Sequence, residues 1–285
     1  MLPEKKKIEF RGAEFNCLIH EKGSPVWLVA THGVCEHLGR HEYLQTMFGD
    51  YFNIFQYDLR GHGLTAGKKA YIQDFREYIW DLEAIIDYLT EHYGMKRLIL
   101  FGHSMGGLIT ANYVQTVADN HLYPEKVFLS APAVATGGVA GDIMRFAPIT
   151  ITQTLASIPF SVPLGGLVDL KYLSHDTRVR EAYIADELNS LKIHSKLALE
   201  LVNASRQVFS KPLRCKTALY AAIGTEDKIV NYPAFKSYFE THAKGAQVLY
   251  VKDAYHEMHN EIEKYRTPYL EFLKKSLLSS LFDNV

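Results

Sequence analysis

The sequence predicts an α/β protein with a mostly parallel central sheet, flanking helices and a helical cap inserted between two parts of the core. Three observations predict it. Short apolar runs recur along the chain, and most are apolar at nearly every position, as in strands covered on both faces. Longer segments with apolar residues at helical spacing separate them, the pattern of βαβ units. This alternation then stops for some eighty residues and resumes (residues 133–212). In order, Lys6–Glu21, with a turn near Gly12, reads as an antiparallel hairpin at the sheet edge. Val26–Thr31 (VWLVAT), Phe52–Asp58 (FNIFQYD), Arg97–Phe101 (RLILF) and Lys126–Ser130 (KVFLS) read as buried strands, as do Thr217–Ile223 (TALYAAI) and Gln247–Lys252 (QVLYVK). Asp74–His92 places Phe75, Ile79, Leu82, Ile85, Ile86 and Leu89 on one helical face. Leu108–Val117 and Pro233–His242 are further helices, the second opening on a proline, which the first turn tolerates.

The interruption divides the chain into a first core segment 1–132, an insertion 133–212 and a second core segment 213–285. Within the insertion, Ala133–Val168 holds two charged residues, Asp142 and Arg145, and Lys171–Arg206 reads as more polar and helical. The pair is expected to form a cap over the C-terminal edge of the sheet; another wing of the core is the competing reading. The uncharged stretch Phe146–Val168 is long enough to test as a membrane span, but Pro148, Pro159 and Pro163 and six hydroxyl or amide residues argue against it.

Composition excludes several classes. The chain has 285 residues, 47% hydrophobic and 22% charged, ordinary usage for a globular protein that buries about three quarters of its extended surface. With 31 basic and 32 acidic residues the net charge is −1, so no general attraction to nucleic acid or to acidic membranes is expected. Cys17, Cys35 and Cys215 are scattered and odd in number, which argues for a reducing compartment; MLPEKKKIEF lacks the apolar stretch of a secretory signal, and a cytoplasmic protein is expected. His37/His41 and His256/His259 form no H-E-x-x-H motif, so no metal and no cofactor is expected.

Chemistry enters at Gly102-His103-Ser104-Met105-Gly106, a G-x-S-x-G pattern between a predicted strand and a predicted helix. That setting is what a nucleophile elbow requires: a sharp turn lifts the serine hydroxyl clear of the sheet, and the glycines leave room for neighbouring backbone. Ser104 is therefore the candidate nucleophile. A serine hydroxyl needs a base held by an orienting acid, following in the order serine, acid, histidine. After the TALYAAI strand comes Gly224-Thr225-Glu226-Asp227-Lys228, with Asp227 favoured as the acid and Glu226 its competitor. After QVLYVK comes Ala254-Tyr255-His256-Glu257-Met258-His259, with His256 favoured as the base and His259 its competitor. The N–H groups of Met105 and, after the VWLVAT strand, Val34 suit a developing oxyanion. His32 and Gly33 beside Val34, and His103 beside Ser104, are expected to border the substrate.

HGVCEHLGRHEYL (His32–Leu44), DLRGHG (Asp58–Gly63), GHSMGG (Gly102–Gly107), GTEDKIV (Gly224–Val230) and AYHEMHNE (Ala254–Glu261) together resemble the monoacylglycerol lipase and lysophospholipase branch of the α/β-hydrolase family. The resemblance spans residues 32 to 261 and is loose in the insertion. It implies an α/β-hydrolase fold and a serine esterase or lipase acting on single-chain glycerol esters under an apolar cap. It also implies Ser104 as nucleophile, Asp227 as acid, His256 as base, and Val34 and Met105 as oxyanion donors. Two positions depart from the family pattern: Cys35 stands where glycine is usual, and Thr65 where serine is usual. Cys35 is expected to narrow the oxyanion loop or to confer sensitivity to thiol reagents; Gly61-His62-Gly63 is expected to be a structural turn. A serine at the elbow sets the chain apart from the haloalkane dehalogenases and epoxide hydrolases, which use aspartate there. The expected partner is a small acyl ester, monoacylglycerol or lysophospholipid, with possible transient contact of the cap with a lipid surface. A short-chain carboxylesterase and a non-catalytic small-ligand binder are the alternatives, and peptidase or carbon–carbon hydrolase chemistry stays open because the cap sets the substrate.

Overall fold

A computed structural model describes residues 3–120, 122–137, 147–158 and 160–279. Asp142, Arg145, Phe146 and Pro159 of the insertion lie outside the described residues. The strands are β1 (Glu4–Phe10), β2 (Ala13–His20), β3 (Val26–Thr31), β4 (Asn53–Tyr57), β5 (Arg97–His103), β6 (Lys126–Ser130), β7 (Pro163–Gly165), β8 (Lys192–His194), β9 (Ala218–Gly224) and β10 (Gln247–Val251). The described α-helices are α1 (Tyr43–Phe48), α2 (Arg76–Tyr93), α3 (Met105–Thr116), α4 (Ile149–Ser157), α5 (Thr177–Ala185), α6 (Ser195–Val208), α7 (Tyr232–Thr241) and α8 (Glu263–Leu278).

Eight strands form one sheet in the order β1-β2-β4-β3-β5-β6-β9-β10. The β1–β2 hairpin turns at Gly12, whose φ of +72° a glycine adopts without strain, and β2 runs antiparallel to β4. Every pairing from β4 to β10 is parallel. This is the α/β-hydrolase fold. β3, β4 and β6 are buried at every position, the reason their sequences read as continuous apolar runs, whereas edge strand β1 is mostly exposed and rich in lysine.

Both faces of the sheet are covered. One carries α2, α3, α6 and α7, packed through residues such as Ile79, Leu82, Leu108, Leu197 and Phe235; the other carries α1 and α8 through Leu44, Phe48, Tyr269 and Leu273. Lys126 is buried in β6 because its ammonium donates to the carbonyls of Ser276 and Leu277, both at 3.0 Å, at the C-terminal end of α8. There it satisfies acceptors that the helix leaves open.

Two readings of the sequence need correction. α3 begins at Met105, directly after the elbow, and not at Leu108. Lys171–Arg206 is not helical throughout: β8 pairs antiparallel with β7, and α5 and α6 lie on either side of it. α6 packs into the main core through Leu197, Leu201 and Val208, while α4 leaves Ile151, Leu155 and the following Ile158 exposed.

Candidate active site

Ser104 is the hinge between β5 and α3. Its φ of +52° is one that side chains other than glycine's rarely adopt, and it marks the sharp strand-to-helix turn. The flanking glycines are obligatory for space. A Cβ on Gly106 would stand 2.1 Å from the Thr31 carbonyl oxygen, and one on Gly102 would stand 2.4 Å from that of Gly106. The Ser104 N–H donates to the Ser130 carbonyl at 2.9 Å and its carbonyl accepts from Ala133 at 3.0 Å, so backbone on both sides holds the turn. Met105 opens α3, and its N–H is among those a helix start leaves without an intrahelical acceptor.

Asp227 and His256 leave the ends of β9 and β10, at the same C-terminal edge as Ser104. The two turns fit closely: a Cβ on Gly224 would lie 2.2 Å from the Ala254 carbonyl oxygen, and Glu226 N–H donates to that carbonyl at 3.1 Å. His256 Nδ1 donates to Asp227 Oδ2 at 2.7 Å, which leaves Nε2 as the atom able to take a proton. The other carboxylate oxygen, Oδ1, accepts the N–H groups of Ile229 (2.8 Å) and Val230 (2.9 Å). Burial by itself would lower the imidazole pKa, but the Asp227 carboxylate, aided by Glu257 and Glu36, raises it above its ordinary value of 6.5. The competitors are placed differently. Glu226 pairs with Lys228 at 2.7 Å on an exposed rim. His259 is buried against Tyr43, His41 and His103, neither of its ring nitrogens has a hydrogen-bond partner, and burial drives its pKa well below 6.5. The ring of His103, the residue before Ser104, lies 5.0 Å from that of His256, so the end of β5 and the loop after β10 meet there.

The loop after β3 is pinned at successive backbone groups. His32 accepts the Leu59 N–H at Nε2 (2.9 Å), which leaves Nδ1 to donate to the Gly33 carbonyl at 2.7 Å. Because that peptide is planar and trans, fixing the Gly33 carbonyl also fixes the opposed Val34 N–H. Gly33 N–H donates to the buried Glu36 carboxylate, which also accepts from His41 Nε2 (3.0 Å) and Arg40 Nε (3.2 Å). Burial opposes ionisation of Glu36, but His41, with His103 and Arg40, holds it well below the usual carboxylate range. Arg40 also donates to Glu257, the residue after His256.

Val34 and Ser104 share a cavity of about 450 Å³ with Leu167, Ile193, Leu201 and Ile229 on its largely apolar walls and Asp169, Tyr172 and Lys228 among its polar groups. His32, Gly33 and His103, read from sequence as bordering a substrate, are not among the residues that line this cavity. Both nitrogens of His32 are taken by backbone groups, and His103 shares a hydrogen bond with Ser130 Oγ. Cys35 is buried and burial pushes its thiol up to about 12, which argues against the expected sensitivity to thiol reagents. Sequence reasoning missed Tyr172, whose carbonyl accepts the His256 N–H at 3.1 Å, and the Glu36–Arg40–Glu257 chain; the E, R and E stand within the recognised motifs, but only the fold brings them together. Among the described residues no group of three or more His, Cys, Asp or Glu could hold a metal ion, and no helix is long and apolar enough to cross a membrane.

The family described as serine aminopeptidase, S33, matches residues 25–263. A monoacylglycerol lipase of Mycolicibacterium smegmatis is 24% identical, over 83% of this chain and 83% of that protein. A phospholipase of Bacillus subtilis is 26% identical, over 83% and 90%. The crystal structure of a monoacylglycerol lipase of Paleococcus ferrophilus superposes with a TM-score of 0.75 at 27% identity, covering 88% of this chain and 94% of that one.

Proposed function

Because this chain belongs to the serine aminopeptidase S33 family of α/β hydrolases, we propose that it is a serine ester hydrolase that cleaves single-chain lipid esters, with monoacylglycerol or lysophospholipid as substrate. The observation that carries this reading is the buried Asp227–His256 pair, its imidazole 5.0 Å from the ring of His103, which precedes an elbow serine that opens on an apolar cavity. In the proposed mechanism Ser104 Oγ attacks the ester carbonyl carbon while His256 Nε2 takes its proton. Asp227 steadies the imidazolium, and the N–H groups of Val34 and Met105 hold the oxyanion. His256 then protonates the departing alcohol, and water repeats the sequence on the acyl-enzyme.

The substrate class rests on apolar lining, since each buried CH₂ of an acyl chain contributes about 0.8 kcal/mol. Similarity to monoacylglycerol lipases and to a phospholipase supports the same class. Residues 133–212 are proposed to act as the cap between core segments 1–132 and 213–285. The exposed Ile151, Leu155, Ile158 and Phe160, the last 75% accessible, support transient contact of that cap with a lipid surface. Peptide hydrolysis is the second reading, favoured by the family description alone.

A fluorophosphonate probe tests the chemistry: wild type is labelled and Ser104→Ala is not, whereas absence of labelling in both leaves a binding protein on a hydrolase scaffold. Rates on p-nitrophenyl esters of increasing chain length, then on monoolein against lysophosphatidylcholine, test the substrate. A profile that favours acetyl esters defeats the lipid reading and leaves the esterase.

A further inference from the structure

Resting on the ester-hydrolase reading, we propose that Tyr183, on α5 of the insertion, is a positioning residue that locks the oxyanion loop and ties it to the loop of His256. The starting point is Cys35, which holds a φ of +63° without being glycine. A side chain in that region is under strain and relaxes to negative φ unless its surroundings prevent it. Such a relaxation would swing the neighbouring Val34 out of line. Val34 is fixed on its near side through the Gly33 carbonyl, which His32 holds. On its far side the Cys35 carbonyl accepts two donors, the Tyr183 hydroxyl at 2.6 Å and the Ser190 N–H at 2.9 Å, and both come from the insertion. His37, two residues on, donates to Asp186 at 2.7 Å, a third tie to the same stretch.

The ring of Tyr183 makes the second connection. Arg40 lies over it, 4.8 Å from guanidinium carbon to ring centroid, and the same guanidinium bonds Glu36 on the oxyanion loop and Glu257 beside His256. Tyr183 is buried, so neither contact is shared with bulk water. One side chain of the insertion thus touches the oxyanion loop directly and reaches the loop of His256 through Arg40. On this account the segment around α5 takes part in holding the transition state and does more than shape the cavity.

The test compares Tyr183→Phe, which keeps the ring and loses the hydroxyl, with Glu181→Gln, an exposed change on the same helix. With p-nitrophenyl butyrate, Tyr183→Phe is expected to lower kcat by about tenfold with KM within about twofold, since a misdirected oxyanion donor weakens the transition state and not substrate binding. Backbone amides of residues 32–37 are expected to exchange hydrogen faster in Tyr183→Phe than in wild type, by mass spectrometry, and Glu181→Gln is expected to match wild type in both measurements. The proposal is overturned if Tyr183→Phe keeps wild-type kcat, if only KM rises, or if Glu181→Gln loses as much. If wild type hydrolyses no ester, the reading beneath fails and this one with it; if wild type is active and Tyr183→Phe equals it, only the role of Tyr183 fails.

Discussion

At the scale of single residues, the proposed base owes its poise to one carboxylate. Burial of His256 works against its protonation and Asp227 more than reverses that, so its pKa stands above 6.5. The proposed chemistry needs the neutral imidazole, so kcat/KM is expected to fall as pH drops through that raised pKa. Asp227→Asn removes that carboxylate and leaves burial opposed by Glu257 and Glu36 alone, so the acid limb is expected to move to lower pH while kcat drops by about 10⁴-fold, read from rate–pH profiles. Cys35 gives a contrasting expectation. Its thiol is buried and held in the protonated form, so iodoacetamide at neutral pH is expected to leave activity intact over the time that modifies a free surface thiol. Ser104, Asp227 and His256 could be nominated from the sequence as candidates because each follows a recognisable strand within a few residues. Tyr183 could not: its partner carbonyl lies 148 positions away, and no local pattern marks a tyrosine whose task is to hold a distant backbone group.

At the scale of elements, the insertion holds helices of two kinds. α6 buries Leu197, Leu201 and Val208 in the main core, so Leu197→Ala is expected to lower unfolding free energy by about 2–5 kcal/mol in denaturant titration. Leu155, on α4, is 47% exposed, and Leu155→Ser is expected to leave stability and p-nitrophenyl butyrate hydrolysis unchanged while slowing turnover of monoolein dispersions. Equal loss on both substrates would show that the exposed face does not serve a lipid surface. The sequence could not separate these helices, because apolar residues at helical spacing look alike whether they face a core or a solvent-exposed groove. The β7–β8 pair was invisible for another reason: three-residue strands carry too few positions for alternation to register.

At the scale of the whole molecule, the fold was the most legible feature. Continuous apolar runs of β3, β5 and β6 can be satisfied only between two layers of helix, and the observed strands begin and end within a few residues of those runs. The buried histidines are a collective property that no motif announces. Burial lowers the pKa of His32, His103 and His259, and that of His62 to about 3. In each, the unfolded chain binds a proton below about pH 6.5 while the folded chain does not, so stability is full above that pH and is lost as pH falls toward the folded values. His256, with its pKa raised, acts in the opposite sense but is one group against four. Thermal unfolding is therefore expected to shift to lower temperature between pH 7 and 5. His259→Phe is expected to flatten that slope, each such histidine contributing up to about 1.4 kcal/mol per pH unit.

The adjacency of β6 and β9 has a kinetic side. Lys126 pairs with Ala218 across the entire insertion, so four of the six strands joined by parallel pairing can zip up before the segment carrying Asp227 and His256 joins them. Closing so long a loop is slow relative to pairing neighbouring strands. During refolding from denaturant, helical signal should therefore recover ahead of reactivity toward a fluorophosphonate, which makes covalent labelling a clock for the final strand junction.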